Sequence, residues 1–268
     1  MIQGGKISNG VKAIVVRAAG INCDLETEYA LKLAGAEAQS IHINRLIEDK
    51  NLLDQFQILV FPGGFSYGDD VAAGKILANQ VIHHLSAPIG KFIDAGKLVL
   101  GICNGFQVLV KAGILPGPGS TDGGQEVTIT YNDSGRYEDR WVYLAPQTEK
   151  CIFIERGRQI YLPVAHAEGK VVTKEQSTLE QLQSEGHVAF KYVDKNGEEG
   201  DYPVNPNGSM ASIAGLTDAT GRVLGLMPHP ERYVRCTQHP HWSRLKKMQD
   251  GDGMRIFNKA VNYIRENF

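Results

Sequence analysis

Short apolar runs alternate with amphipathic stretches through the first half of the chain. Residues 12–18 form a nearly unbroken apolar run that predicts a strand, and residues 24–33 repeat apolar side chains at helical spacing. Further strands are predicted at 38–43, 57–61 and 97–101, with a helix over 72–85. Strands apolar on both faces, separated by helices, call for a parallel sheet that is covered on both sides.

Beyond residue 115 the pattern changes. Residues 116–124 are rich in Pro and Gly and read as a flexible loop. Alternating segments at 127–131 and 141–144 follow, then strands at 159–163, 187–193 and 211–216, with turn signals at Asn196-Gly197 and Thr220-Gly221. These predict antiparallel additions to the main sheet. A last apolar strand at 223–227 and an amphipathic helix at 253–266 close the chain. The expectation is one α/β domain over residues 11–268, after a polar, Gly-rich, flexible lead-in at 1–10.

Composition narrows the class. With 268 residues, 42% hydrophobic and 22% charged, the chain can bury a sizeable core, and it shows no internal repeat or long linker. A net charge of −2 provides no basic field for a phosphate backbone, so nucleic acid is not an expected partner. The polar first ten residues resemble neither a signal peptide nor a membrane span, so no membrane association is expected. Four widely spaced cysteines do not form the dense pattern of a disulfide scaffold, which points to a reducing, cytoplasmic setting.

One of those cysteines lies where chemistry is favoured. In Gly101-Ile-Cys103-Asn-Gly105 an apolar strand runs into a helical stretch, so Cys103 occupies a strand-to-helix elbow at the carboxyl edge of the sheet. The glycines on either side leave room for close packing. A thiol at a helix N-terminus feels the positive end of the dipole, which favours the nucleophilic thiolate, and the backbone N–H of Asn104 can serve a developing oxyanion. The alternative is a buried apolar filler, the commoner fate of a free cysteine. Cys23 is a rival, following a strand and preceding a helix, but Leu25 replaces the second glycine and Asp24 adds an adjacent negative charge. Asn22 or Asp24 is the expected helix cap there, with Cys23 in a loop near the site.

A nucleophilic cysteine needs a proton acceptor, and His229 stands apart from the other histidines. It lies in Pro228-His-Pro-Glu231, just past an apolar strand and so at the same sheet edge as Cys103. The two prolines hold the segment extended, so residues two apart face the same way and Glu231 can orient the imidazole.

Gly101-Ile-Cys-Asn-Gly-Phe-Gln107 together with Pro228-His-Pro-Glu231 resembles the class I, triad-type glutamine amidotransferases. The resemblance implies a flavodoxin-like three-layer sandwich with a mostly parallel central sheet. It also implies release of ammonia from glutamine by Cys103, His229 and Glu231. Within the family, Gly20-Ile-Asn-Cys-Asp, residues 61–69, Trp141-Val-Tyr-Leu, Ala165-His-Ala-Glu-Gly169 and Asn205-Pro-Asn-Gly-Ser209 are similar to the glutaminase subunits of phosphoribosylformylglycinamidine synthases. By position, Gly63 and Gly64 would offer N–H groups to the oxyanion, Asn104 and Gln107 would help hold glutamine, and His166 and Glu168 would border the pocket. Ala167 departs from the family glycine, and position 72 or 73 from an arginine. Without the resemblance, Pro62-Gly-Gly is a loop after a strand, and His166 and Glu168 are solvated strand-end residues.

Such a synthase consumes ATP, yet the nearest phosphate-loop pattern, Gly68 to Ile76, has one residue too many between its glycines and Ile76 in place of the metal-binding hydroxyl. No cofactor or metal is therefore expected in this chain. Ammonia made here must pass to a partner. The resemblance implies a large synthetase subunit carrying ATP, Mg and formylglycinamide ribonucleotide, with a small accessory subunit as a further candidate. Residues 232–242, which include Arg232, Tyr233, Arg235 and Trp242, are a candidate docking segment. Cys236, His239 and His241 make up half of a metal site and lack a second ligand pair. The other readings are the glutaminase of a different amidotransferase, a cysteine peptidase on a similar sheet, and a non-catalytic binding subunit.

Overall fold

Apolar runs of four to six residues become strands whose side chains are covered on both faces. The computed structural model describes residues 10–117, 125–245 and 250–268. The lead-in expected before Gly10, and residues 118–124 of the Pro- and Gly-rich loop, lie outside the described residues.

In chain order the first elements are β1 (Lys12–Arg17), α1 (Asp24–Leu33), β2 (Glu37–His42), α2 (Ile43–Glu48), β3 (Ile58–Phe61), α3 (Lys75–Gln80), α4 (Ser86–Asp94), β4 (Leu98–Ile102) and α5 (Asn104–Lys111). The second half contributes β5 (Val127–Tyr131), β6 (Glu138–Pro146), β7 (Ile160–His166), β8 (Glu168–Thr173), α6 (Gln176–Ser184), β9 (Val188–Val193), β10 (Ile213–Thr217), β11 (Val223–Leu226) and α7 (Met254–Asn267). The helix expected over 72–85 is shorter at its start, with α3 running into a π-helical turn at Val81–Leu85.

Nine strands form one mixed sheet in the order β2-β1-β3-β4-β11-β10-β9-β6-β7. The first five run parallel to their neighbours, and the remaining four are antiparallel. Every residue of β3, β4 and β11 is buried, as expected for strands sandwiched between layers. The parallel portion reads 2-1-3-4 and then β11, the flavodoxin-like order, so the expected α/β sandwich is the architecture observed.

One expectation needs correction. Residues 127–131 do form a strand, but β5 pairs with β8 in a separate two-stranded ribbon and does not extend the main sheet. Its partner was not foreseen, because Glu168, Gly169 and Lys170 are weak strand formers.

Candidate active site

Segments leaving the carboxyl ends of β1, β3, β4 and β11 meet at one edge of the sheet. These strands are neighbours in the order β1-β3-β4-β11, so the residues following them are brought together by register alone.

Cys103 lies between the last residue of β4 and the first of α5, with φ 52° and ψ −107°. Positive φ at a non-glycine residue is strained, and here it turns the thiol outward at the elbow. The Cys103 N–H donates to Leu226 O at 2.8 Å, which ties the elbow to the end of β11. Close packing explains the glycines: a Cβ on Gly105 would collide with Phe61 O, and one on Gly101 would lie 2.8 Å from Gly105 O. The thiol itself is buried and lies 3.7 Å from Ala165 O, a weak contact.

His229 follows β11, and its N–H donates to Pro163 O at 2.8 Å, so β7 returns to the site although it is the far edge of the sheet. Its Nδ1 lies 2.5 Å from Glu231 Oε1, with both side chains buried. Glu231 is not on an extended chain, as the sequence suggested; Pro230–Arg232 is a 3₁₀ turn, which brings the carboxylate to the ring by curvature. Burial disfavours the imidazolium, but the Glu231 carboxylate, with Cys103 next, outweighs it and holds His229 well above the usual histidine range. His229 Nε2 has no hydrogen-bond partner and remains the nitrogen available for proton transfer.

Cys23 also lies beside the ring. It receives a hydrogen bond from Arg232 Nη2 at 3.1 Å, while Arg232 Nε donates to Glu26 Oε1 at 2.9 Å. Burial pushes the Cys23 thiol up to about 11, partly offset by the neighbouring His229 and Arg232. Cys23 is therefore neutral near pH 7, but not because of Asp24, whose carboxylate is paired with Arg17 at 2.7 Å. Neither Asn22 nor Asp24 caps α1; Cys23 occupies the cap position and makes no side-chain capping bond.

The structure gathers the other candidates around Cys103. Gly63 lies against His229 and Cys23: a Cβ there would be 2.7 Å from His229 Cε1 and 3.1 Å from Cys23 Sγ. Gly64, at φ 142°, bridges to Ile21 across the β1 and β3 loops. Asn104 Nδ2 donates to Gln107 Oε1 at 3.0 Å and to Asp69 Oδ1 at 3.1 Å, and Gln107 Nε2 donates to Glu168 O at 2.5 Å. The elbow helix is thereby fastened to the start of β8.

His166 is not the solvated residue that its position alone suggested; it is only 3% exposed. Burial pushes it down to about 3, and its Nδ1 lies 3.1 Å from Asn132 Oδ1. Since that oxygen can only accept, Nδ1 carries the proton and Nε2 is left as an unpartnered acceptor.

Sequence reasoning missed Asn132, Asp69, Lys111 and Tyr137. Lys111 Nζ sits 3.9 Å from Glu168 Oε2, and Asp69 Oδ1 accepts the Gly74 N–H at 3.1 Å. The failed phosphate-loop segment is thus a flank of this site, with its helix N–H already taken by a carboxylate. Phe65 and Tyr137, both exposed, stack with centroids 6.5 Å apart, and desolvation raises the Tyr137 phenol above its usual range. Only a signal for long-range contact could have found these four. His239, read as part of half a metal site, instead packs among Trp141, Tyr161 and Tyr233.

The geometry has parallels among known proteins. The sequence model of the CobB/CobQ-like glutamine amidotransferase domain matches residues 10–264. The phosphoribosylformylglycinamidine synthase subunit PurQ of Dehalococcoides mccartyi is 47% identical over 258 residues, covering 96% of this chain and 98% of that protein. That of Treponema denticola is 45% identical, covering 94% and 98%. Among solved structures, PurLQS from Thermotoga maritima aligns over 95% of this chain and 99% of that one, with 31% identity and a TM-score of 0.70.

Proposed function

The chain belongs to the CobB/CobQ-like glutamine amidotransferase family, and on that premise we propose that Cys103, His229 and Glu231 are its nucleophile, base and orienter. It is the glutaminase subunit of a phosphoribosylformylglycinamidine synthase, acting in purine biosynthesis with the synthetase subunit and the small subunit of that complex. The observation that carries the assignment of roles is the strained elbow of Cys103 beside a histidine held by a buried carboxylate at 2.5 Å.

In this mechanism the Cys103 sulfur, its proton passed to His229 Nε2, attacks the side-chain carboxamide carbon of glutamine. The backbone N–H of Asn104, and those of the Gly63-Gly64 turn, offer hydrogen bonds to the oxyanion. As the C–N bond breaks, the imidazolium returns its proton to the leaving nitrogen, which departs as ammonia. Water, deprotonated by the same imidazole, then cleaves the thioester to glutamate and restores the thiol. Glu231 keeps Nδ1 protonated and stabilises the imidazolium at each step. The neutral thiol of Cys23 favours Cys103 as the attacking sulfur.

Gln107, Asn104 and His166 complete the proposed substrate pocket, with His166 Nε2 offering an acceptor. ATP and Mg belong to the synthetase subunit, which fixes the ammonia. Among the described residues no helix is long and apolar enough to cross a membrane; the proposed site of action is the cytoplasm. Trp242, 46% exposed just beyond the triad segment, marks the proposed docking face. Cys103→Ala in the assembled synthase tests the reading: glutamine-dependent synthesis is lost while synthesis from added ammonia persists. Retained glutaminase activity in that variant would contradict it.

A further inference from the structure

A second set of donor atoms shares the base with the nucleophile. The Cys23 thiol, an imidazole nitrogen of His229 and a carboxylate oxygen of Glu231 all lie within 4.8 Å of one another, and all three residues are buried. Zinc and its heavier analogue cadmium accept sulfur, nitrogen and oxygen together at about 2.0–2.3 Å for zinc, whereas Mg²⁺ and Ca²⁺ take oxygen donors. His229 and Glu231, each only 1% exposed, also carry a buried atom without a hydrogen-bond partner, Nε2 and Oε2 respectively. Gly63 borders the cluster closely, with no side chain to fill the space between Cys23 and His229.

We propose that Cys23, His229 and Glu231 form an inhibitory site for a soft divalent cation of the zinc class, overlapping the triad without using Cys103. The inference rests on the reading of His229 and Glu231 as base and orienter. On binding, the Cys23 proton leaves to solvent and a sulfur–metal bond takes its place, while the His229 imidazolium also releases a proton to solvent and the lone pair so freed becomes a nitrogen–metal bond. Whichever nitrogen ligates, the ring loses either its hydrogen bond to Glu231 or the lone pair that accepts the Cys103 proton. Arg232 opposes the cation, since its guanidinium hydrogen-bonds to Cys23 Sγ and must give way. The site therefore binds more weakly than a closed structural zinc centre, and a chelator reverses the inhibition.

Two measurements test the proposal. In the assembled synthase, zinc titration of glutaminase activity is compared between the wild type and Cys23→Ser. Loss of a ligand weakens inhibition at least as much as loss of a second-shell partner does, roughly 10–100-fold. Equal sensitivity in the two proteins overturns the proposal, because the metal would then act through Cys103 or elsewhere. Separately, cadmium binding to the full-length Cys103→Ala chain is followed by the ultraviolet thiolate-to-metal band. The band is expected in Cys103→Ala and lost in Cys103→Ala/Cys23→Ser; its persistence in the double variant overturns the proposal. This second reading requires no turnover, so it decides the matter even where Cys23→Ser lowers zinc-free activity or the assigned catalytic roles fail.

Discussion

His229 and Glu231 are two positions apart in the chain, and a single 3₁₀ turn places their side chains 2.5 Å apart in a buried site. Such a pair orients the ring and stabilises its cation, so Glu231→Gln should leave glutamine binding nearly intact and lower kcat by about 10³–10⁴-fold. Steady-state kinetics of the assembled synthase with glutamine checks this. A loss confined to KM would mean that Glu231 only shapes the pocket.

Gly63 and Gly105 are both closely packed, yet they guard different things. Alanine at 63 pushes a Cβ to 2.7 Å from His229 Cε1 and displaces the proposed base. A shift of that order costs roughly 10²-fold in rate while the fold survives. Alanine at 105 instead drives a Cβ into the Phe61 carbonyl and costs about 1–3 kcal/mol of stability. Comparing thermal unfolding with kcat for the two variants separates the roles.

Gln107→Ala removes the bond to Glu168 O and the acceptor for Asn104 Nδ2. Unpaired buried partners make this variant less stable by about 1–3 kcal/mol. If Gln107 also helps to hold glutamine, KM for glutamine rises more than kcat falls. An unchanged KM would remove Gln107 from the pocket.

His166 introduces a pH dependence of definite sign. Its folded value is lowered by burial to about 3, below the value of about 6.5 in an unfolded chain. The unfolded state therefore takes up the proton first, and stability declines as pH falls from about 6.5 towards 3. His166→Asn should flatten this part of the stability curve measured by denaturant unfolding. His229, shifted in the opposite direction, contributes stability that is present below about 6.5 and is lost as pH rises through its raised value.

Much of this was legible locally. The unbroken apolar runs at β1, β3, β4 and β11 specify buried parallel strands, and their carboxyl ends place Cys103 and His229 at one edge without further information. What was not legible depends on contacts distant in sequence. β8 begins with the weak strand formers Glu168, Gly169 and Lys170 and is held by its pairing with β5, and α6 buries only Leu179 and Leu182 on an otherwise polar surface. Asn132 is an unremarkable loop residue until the β5–β8 pairing brings it to His166, 34 positions away. The neutrality of Cys23 likewise comes mainly from burial, which adjacent residues do not reveal.

Covalent labelling by a glutamine-mimicking electrophile tests the central claim most directly, because Cys103 and Cys23 both lie beside His229. Peptide mass spectrometry of the labelled synthase is expected to find one adduct on this chain, on Cys103, and none in Cys103→Ala. An adduct on Cys23 with Cys103 unmodified would contradict the assignment of the nucleophile.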